Sequence, residues 1–212
     1  MAVKSNLGNM VLVLGLTCLL CSGILGGAYV LTKEPIDAAA AEKTNRAISQ
    51  VLPSFENASE RSFVEVYGKD FPYYVAKNGE DLVGYAIEST VVGFGGNLTV
   101  MVGVTPDRVV CNTSVLSHTE TPGLGAKCTT DPKFVSQWAG LNPSEKILTV
   151  KKDGGDIDAI TASTITSRAY ALAVENALAA FDVIHSAPAG PQDDTCHPER
   201  SEESKEGGQS HE

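Results

Sequence analysis

The sequence predicts an α+β protein, with one N-terminal transmembrane helix followed by an antiparallel sheet with covering helices. Three observations predict it. The run Met10–Leu31 is apolar and free of charge, the length a helix needs to cross a bilayer core. From Asp81 to Leu116, segments rich in β-branched residues alternate with Gly and Pro turns, the pattern of short antiparallel strands. A cluster of hydroxyls around Thr164 then opens a helical period that continues to about Ile184. Strands first and helices after them point to an α+β layer arrangement.

Residues 1–9 precede the membrane run (10–31), and Lys4 with the free amino terminus favours a cytoplasmic start. Gly15, Gly23, Gly26 and Gly27 suit close helix contact in lipid. An Ala-rich stretch, Ala38–Ala41, is cleavage-site-like, but the apolar run is too long for a signal core. Residues 32–60 read as a linker, helical over Asp37–Val51 and stopped before Pro53. The folded domain is 61–186. Its strands are expected at Tyr67–Ala76, Asp81–Val92, Asn97–Thr105 and Arg108–Leu116, separated by the Gly93–Gly96 and Pro106–Asp107 turns. A helix over Pro132–Gly140 carries Trp138, read as a core anchor. The last helix would bury Ile165, Ala169, Leu172, Ala173, Leu178, Phe181 and Ile184. Residues 187–212 form an acidic tail expected to be disordered.

The net charge of −10 offers no basic patch for nucleic acid. Half of that charge lies in Asp193–Glu212, which has seven acidic and two basic residues. Cys18 and Cys21 form a C-x-x-C inside the apolar run and read as packed or lipid-facing thiols. Cys111 and Cys128 have the option of a disulfide in an oxidising compartment, and Cys196 lies in the tail. The four histidines are scattered, which disfavours a zinc site.

Two motifs carry chemistry. Asp158-Ala-Ile-Thr161-Ala-Ser163-Thr164-Ile165-Thr166-Ser167 places an acid and several hydroxyls at a helix entrance. Ser and Thr cap orphan N–H groups there, and the same groups accept a phosphate. Taken alone, the segment reads first as a heavily decorated N-cap. Upstream, His118-Thr-Glu120-Thr121-Pro122-Gly123-Leu124-Gly125 sets a stiff Pro beside two flexible Gly residues. Alone, this is an ordinary surface turn, with Glu120 either positioning the loop or solvated and His118 structural.

Together the two motifs resemble the FMN-binding domain of the G subunit of Rnf electron-transport complexes, and of the related C subunit of sodium-pumping NADH:quinone reductase. The resemblance covers roughly Gly84–Ala180. It implies covalent FMN on Thr164 through a phosphoester, the threonine that ends a Ser/Thr-Gly-Ala-Thr motif. Here Ala162 replaces the Gly and Ser163 the Ala. Cofactor contacts are then expected from Glu120, Thr121, Pro122, Gly123, Leu124, Gly125, Thr161, Ser163, Ile165 and Thr166, with Leu124 against the flavin ring. Asp158 becomes part of the signal read by a flavin transferase, or otherwise a cap or turn residue.

The resemblance further implies an electron-relay subunit of an ion-translocating oxidoreductase, a translocase complex that couples electron transfer between ferredoxin and NAD to ion movement. It would have no substrate site of its own, and its partners would be membrane, flavin and iron–sulfur subunits. It would sit in a bacterial or archaeal cell membrane, with the flavin domain on the outer face. The alternatives are the C subunit of the quinone reductase and an anchored, flavin-free structural or binding module.

Overall fold

A computed structural model describes residues 7–186. The expected disordered tail and Cys196 lie outside the described residues, as do residues 1–6. Helix α1 spans Leu7–Val51 without a break and contains Pro35. It is long and apolar enough to cross a membrane, and its apolar window is not buried in the protein. The membrane run and the expected linker helix are therefore one helix. Pro35 forfeits a single backbone hydrogen bond one turn past the apolar run, which here leaves the helix continuous.

The last turns of α1 join the core. Ala47, Ile48, Val51 and Leu52 are buried with Ala76, Ala86 and Met101 on one face of the sheet. That sheet comprises β1 (Asn57–Ala58), β2 (Ser62–Val66), β3 (Lys69–Asn78), β4 (Asp81–Val92), β5 (Asn97–Val104) and β6 (Val110–His118). All pairings are antiparallel, and β3 to β6 are neighbours in chain order. β1 and β2 pair successive stretches of β3 along its free edge.

Strand alternation sorts the two faces. In β5, Leu98, Val100, Val102 and Val104 enter the main core while Met101 enters the smaller cluster under α1. Each buried side chain of this size contributes about 1.5–3 kcal/mol. Above the main face lie α2 (Pro132–Ser136) and α3 (Thr164–Ser186). Trp138 is fully buried, stacked on Tyr170 with ring centroids 5.2 Å apart.

Several expectations need correcting. Tyr67 is not in a strand. It lies with Gly68 in a two-residue turn between β2 and β3, both at positive φ (53° and 71°), the geometry that hairpin twist favours. Strand β2 is an additional short edge strand, whose polar Ser62 and Glu65, next to Arg61, dilute the apolar pattern that marks a strand. Arg108 also has positive φ (65°) and belongs to the turn, so β6 begins at Val110. α2 stops at Ser136, and Trp138 follows it. On α3, Ile165 and Leu172 are half-exposed. The buried stripe runs instead through Ala169, Tyr170, Ala173, Val174, Ala177, Leu178 and Phe181. Cys111 and Cys128 are both free thiols. Burial pushes the Cys128 thiol up to about 11, and the nearby Glu120 charge adds to this.

The α1–sheet junction is close because Gly103 lacks a side chain: a Cβ there would run into the Val51 carbonyl. Overpacking of this kind costs about 1–3 kcal/mol. Gly103→Ala is expected to lower the thermal unfolding midpoint of the full chain in detergent, and an unchanged midpoint would show that α1 does not rest on the sheet there.

Candidate functional site

Four segments meet at the end of the sheet next to the start of α3. They are the β4–β5 turn (Gly93–Gly96), Glu120 at the end of β6, the loop Thr121–Gly125 and the first turn of α3. Glu120 joins them. Although charged, it is buried to 4% exposure. Its Oε1 accepts from the Phe94 N–H at 2.9 Å and its Oε2 from the Gly95 N–H at 3.3 Å. Buried carboxylates are tolerated only with such partners. Gly93 and Gly125 permit the approach, because a Cβ on either would collide with the Glu120 carboxylate. The same added atom on Gly125 would also press on the Thr166 hydroxyl. Glu120, Gly125 and Thr166 are thus in direct register.

The loop after Glu120 is a tight coil. The Thr121 carbonyl accepts from the N–H groups of Leu124 and Ala126, both at 3.2 Å. Gly123 sits at φ 77°. A single 3-10 turn, Gly125–Cys128, follows. Thr121, Pro122, Gly123 and Leu124 are all exposed, with Leu124 at 45%. Two further exposed apolar residues flank the same junction, Ile165 at 50% and Phe94 at 68%.

The helix entrance is built from within. Ser163 precedes α3 and is buried, and its carbonyl accepts from the Ser167 N–H at 3.0 Å and the Ser167 hydroxyl at 2.9 Å. That hydroxyl oxygen in turn accepts from the Ile160 N–H at 2.9 Å, closing a buried network around the turn. Thr166 is buried as well, whereas Thr161 is exposed and makes no side-chain hydrogen bond among the described residues. Thr164 is the first residue of α3 and is half-buried, and its Oγ1 accepts from Lys152 Nζ at 3.1 Å. Ala162 has φ 63°, the left-handed region that costs a Cβ-bearing residue about 1–2 kcal/mol. This backbone demand gives a physical reason for glycine at the corresponding motif position.

Asp158 does not cap the helix. Its carboxylate pairs with Lys151, and its backbone N–H donates to Gln137 Oε1 at 2.8 Å while its carbonyl accepts from Gln137 Nε2 at 3.1 Å. It therefore fixes the segment that leads to the entrance. Two residues at the site escaped sequence reading. Phe94 sits inside a Gly-rich turn that reads only as a turn, and Lys152 is twelve residues from Thr164, outside any helical or strand register.

Comparison with known proteins settles the family. An FMN-binding domain model matches residues 93–179, which include Phe94, Glu120, Lys152 and Thr164. The G subunit of the ion-translocating oxidoreductase complex of Shewanella piezotolerans is 35% identical over 193 residues, covering 84% of this chain and 91% of that protein. The G subunits of the same complex from Haemophilus influenzae (36% identical, 74% and 82% covered) and Aliivibrio fischeri (34%, 79% and 86%) are similar to the same degree. The chain belongs to the G-subunit family of ion-translocating oxidoreductase complexes. Among solved structures, this G-subunit family member is also similar to the C subunit of the Na(+)-translocating NADH-quinone reductase of Parabacteroides distasonis, at 18% identity and TM-score 0.47, covering 70% of this chain and 85% of that one. Shewanella oneidensis NqrC, at 21% identity and TM-score 0.45, covers 65% and 71% respectively.

Two outcomes follow from the geometry. Glu120→Ala removes a charged acceptor from two N–H groups, worth about 1.5–3 kcal/mol each for bonds to a charge. It is expected to destabilise the chain by about 2 kcal/mol or more and to speed hydrogen exchange at Phe94 and Gly95 above that of the β-sheet interior. Ala162→Gly relieves the left-handed strain at some cost in unfolded-state entropy. A net gain of about 0.5–1 kcal/mol in a denaturant titration is expected, and a loss would mean the turn does not hold that φ.

Proposed function

We propose that this protein carries FMN as a phosphoester on Thr164 and relays electrons within an Rnf-type complex. The observation that carries the reading is the Thr164 hydroxyl, half-exposed at the first residue of a 23-residue helix. Orphan N–H groups and the positive end of the helix favour an anion at such a position. The neighbouring hydroxyls are unequal to it in accessibility: Ser163 and Thr166 are buried. Attachment replaces the Thr164 hydroxyl proton with the FMN phosphoryl group. The donor is a phosphoanhydride-type flavin nucleotide: as a flavin transferase acts, its anhydride P–O bond breaks, the second phosphate leaves with its substituent, and the Thr164 hydroxyl proton passes to the leaving group or to solvent.

When bound, FMN supplies the redox chemistry. The chain's own residues position it. Thr164 fixes the phosphate, and the buried Ser163–Ser167 network holds the entrance rigid. Thr161 and Thr166 border the phosphate, and Glu120 sets the Thr121–Gly125 loop in place. Leu124 and Ile165 offer apolar surface to the ring, and Pro122 and Gly123 shape the loop that presents Leu124. The FMN-binding unit, which we assign to residues 61–186 with β1 and the last turns of α1 packed onto it, has no further substrate site in this reading.

The partners proposed are the membrane, flavin and iron–sulfur subunits of a translocase that couples ferredoxin:NAD electron transfer to ion movement. Helix α1 anchors the protein in the cell membrane of a bacterium or archaeon. The flavin domain lies on the outer face, supported by Lys4 ahead of the apolar run.

In-gel flavin fluorescence of the denatured chain, co-expressed with a flavin transferase, tests the attachment. A fluorescent parent and a dark Thr164→Ala variant are expected. A dark parent would instead favour an anchored module without covalent flavin.

A further inference from the structure

We propose that Lys152 is the cation that holds the flavin phosphate after esterification of Thr164, a role that rests on the reading of Thr164 given above. The charge pattern around the entrance singles it out. Lys151 pairs with Asp158 at 2.8 Å, and Arg168 clamps Asp153 through two bonds of 2.6 and 2.7 Å. Among the described residues, Lys152 is the cation of this group without a salt-bridge partner. Its Nζ points instead at the Thr164 oxygen, 3.1 Å away.

The backbone that carries Lys152 is fixed. It occupies a single 3-10 turn, Lys151–Asp153. The Lys151 N–H donates to the Ile157 carbonyl at 2.8 Å, and Asp153 is tied to α3 through Arg168. The two flanking ion pairs thus brace the turn against the helix entrance with Lys152 between them. The pairs neutralise Asp153 and Asp158, while Asp156 is taken up by the Ile147 N–H and Glu120 by the Phe94 and Gly95 N–H groups, so that Lys152 is the cation left facing Thr164.

The chemistry suits a phosphodiester. In the ester, Oγ1 of Thr164 is bonded to phosphorus, and one negative charge is shared by the two non-bridging oxygens. An ammonium group already beside Oγ1 reaches those oxygens by a small rotation of its flexible stem, and it carries three donors for them. Such charge-assisted bonds are stronger than those of neutral hydroxyls. In a chain of net charge −10, a local cation also offsets the repulsion an incoming anion meets.

The test uses the full chain in detergent, prepared with and without flavin, for the parent, Lys152→Ala, Lys152→Glu and Lys152→Arg, with Thr164→Ala as the attachment control. Two readouts are taken: the extent of flavin loading by in-gel fluorescence, and the shift in thermal midpoint between the loaded and unloaded forms. Lys152→Ala is expected to lose most of the stabilisation that loading confers, Lys152→Glu to lose all of it or reverse its sign, and Lys152→Arg to retain it. Raising the salt concentration should shrink the parent's shift toward that of Lys152→Ala. Equal loading shifts in the parent, Lys152→Ala and Lys152→Glu would overturn the role of Lys152 while leaving Thr164 in place. A fluorescent Thr164→Ala variant would overturn the attachment reading, and the Lys152 proposal with it.

Discussion

The geometry of the site depends on one buried carboxylate. Glu120 accepts two backbone N–H groups from the β4–β5 turn while Gly93 and Gly125 close on it from either side. Without it, the turn and the Thr121–Gly125 loop would lose the side-chain bonds that join them beyond the strand pairing, and neither buries much apolar side chain of its own. A charge removed from water is costly unless its partners are in place. The carboxylate therefore enforces the arrangement: any conformation that withdraws those N–H groups strands it. Burial, and after it this charge, raise the Cys128 thiol above its ordinary range, and the sulfur is packed in the main core.

Electrostatics at the helix entrance run against those of the whole chain. The molecule is strongly acidic, yet Asp153 and Asp158, on the segments that lead to Thr164, are each paired with a cation on an adjoining segment. These pairs are exposed, and each contributes little to stability. Their effect is geometric and local: they brace the 3-10 turn and cancel negative charge where an anion would sit. A fold can in this way host an anionic group without being basic overall.

How much of this was legible in the sequence varies by interaction range. The apolar run, the strands β4 and β5, the helix beginning at Thr164 and the core role of Trp138 could be read because each depends on local period or length. The hydroxyl cluster and the Pro-Gly-Leu-Gly loop could be singled out as residue types. What held them together could not. The bond from Phe94 to Glu120 spans 26 residues and that from Lys152 to Thr164 spans 12, and neither leaves a periodic trace. Tyr67 and Arg108 misled because strand-prone or neutral side chains occupy left-handed turn positions where glycine or asparagine would have marked the break. Ile165 and Leu172 fall on the apolar stripe by spacing alone but face outward, Ile165 at the helix entrance beside the site.

Helix α1, long and apolar enough to cross a membrane, is joined to the site in a way that a flexible tether would not be. It runs unbroken from the apolar segment to Val51, a length of about 70 Å at the usual helical rise. Its final turn is itself core, packed over Gly103 and Met101 on the face of the sheet opposite α3. Asn112 and Ser114 of β6 add hydrogen bonds to Gln50 at 3.1 and 3.0 Å. The sheet that positions Glu120 is thus fastened to the anchor by packing as well as by chain connectivity. A carrier on a loose linker would explore many orientations and spend little time in any one of them. A domain docked on its own anchor is held in one, with the missing hydrogen bond at Pro35 the point where the helix has least resistance to bending. For a redox group that must face fixed partners, that restriction lowers the entropic cost of each encounter, and it follows from the same close approach at Gly103 that makes α1 part of the fold.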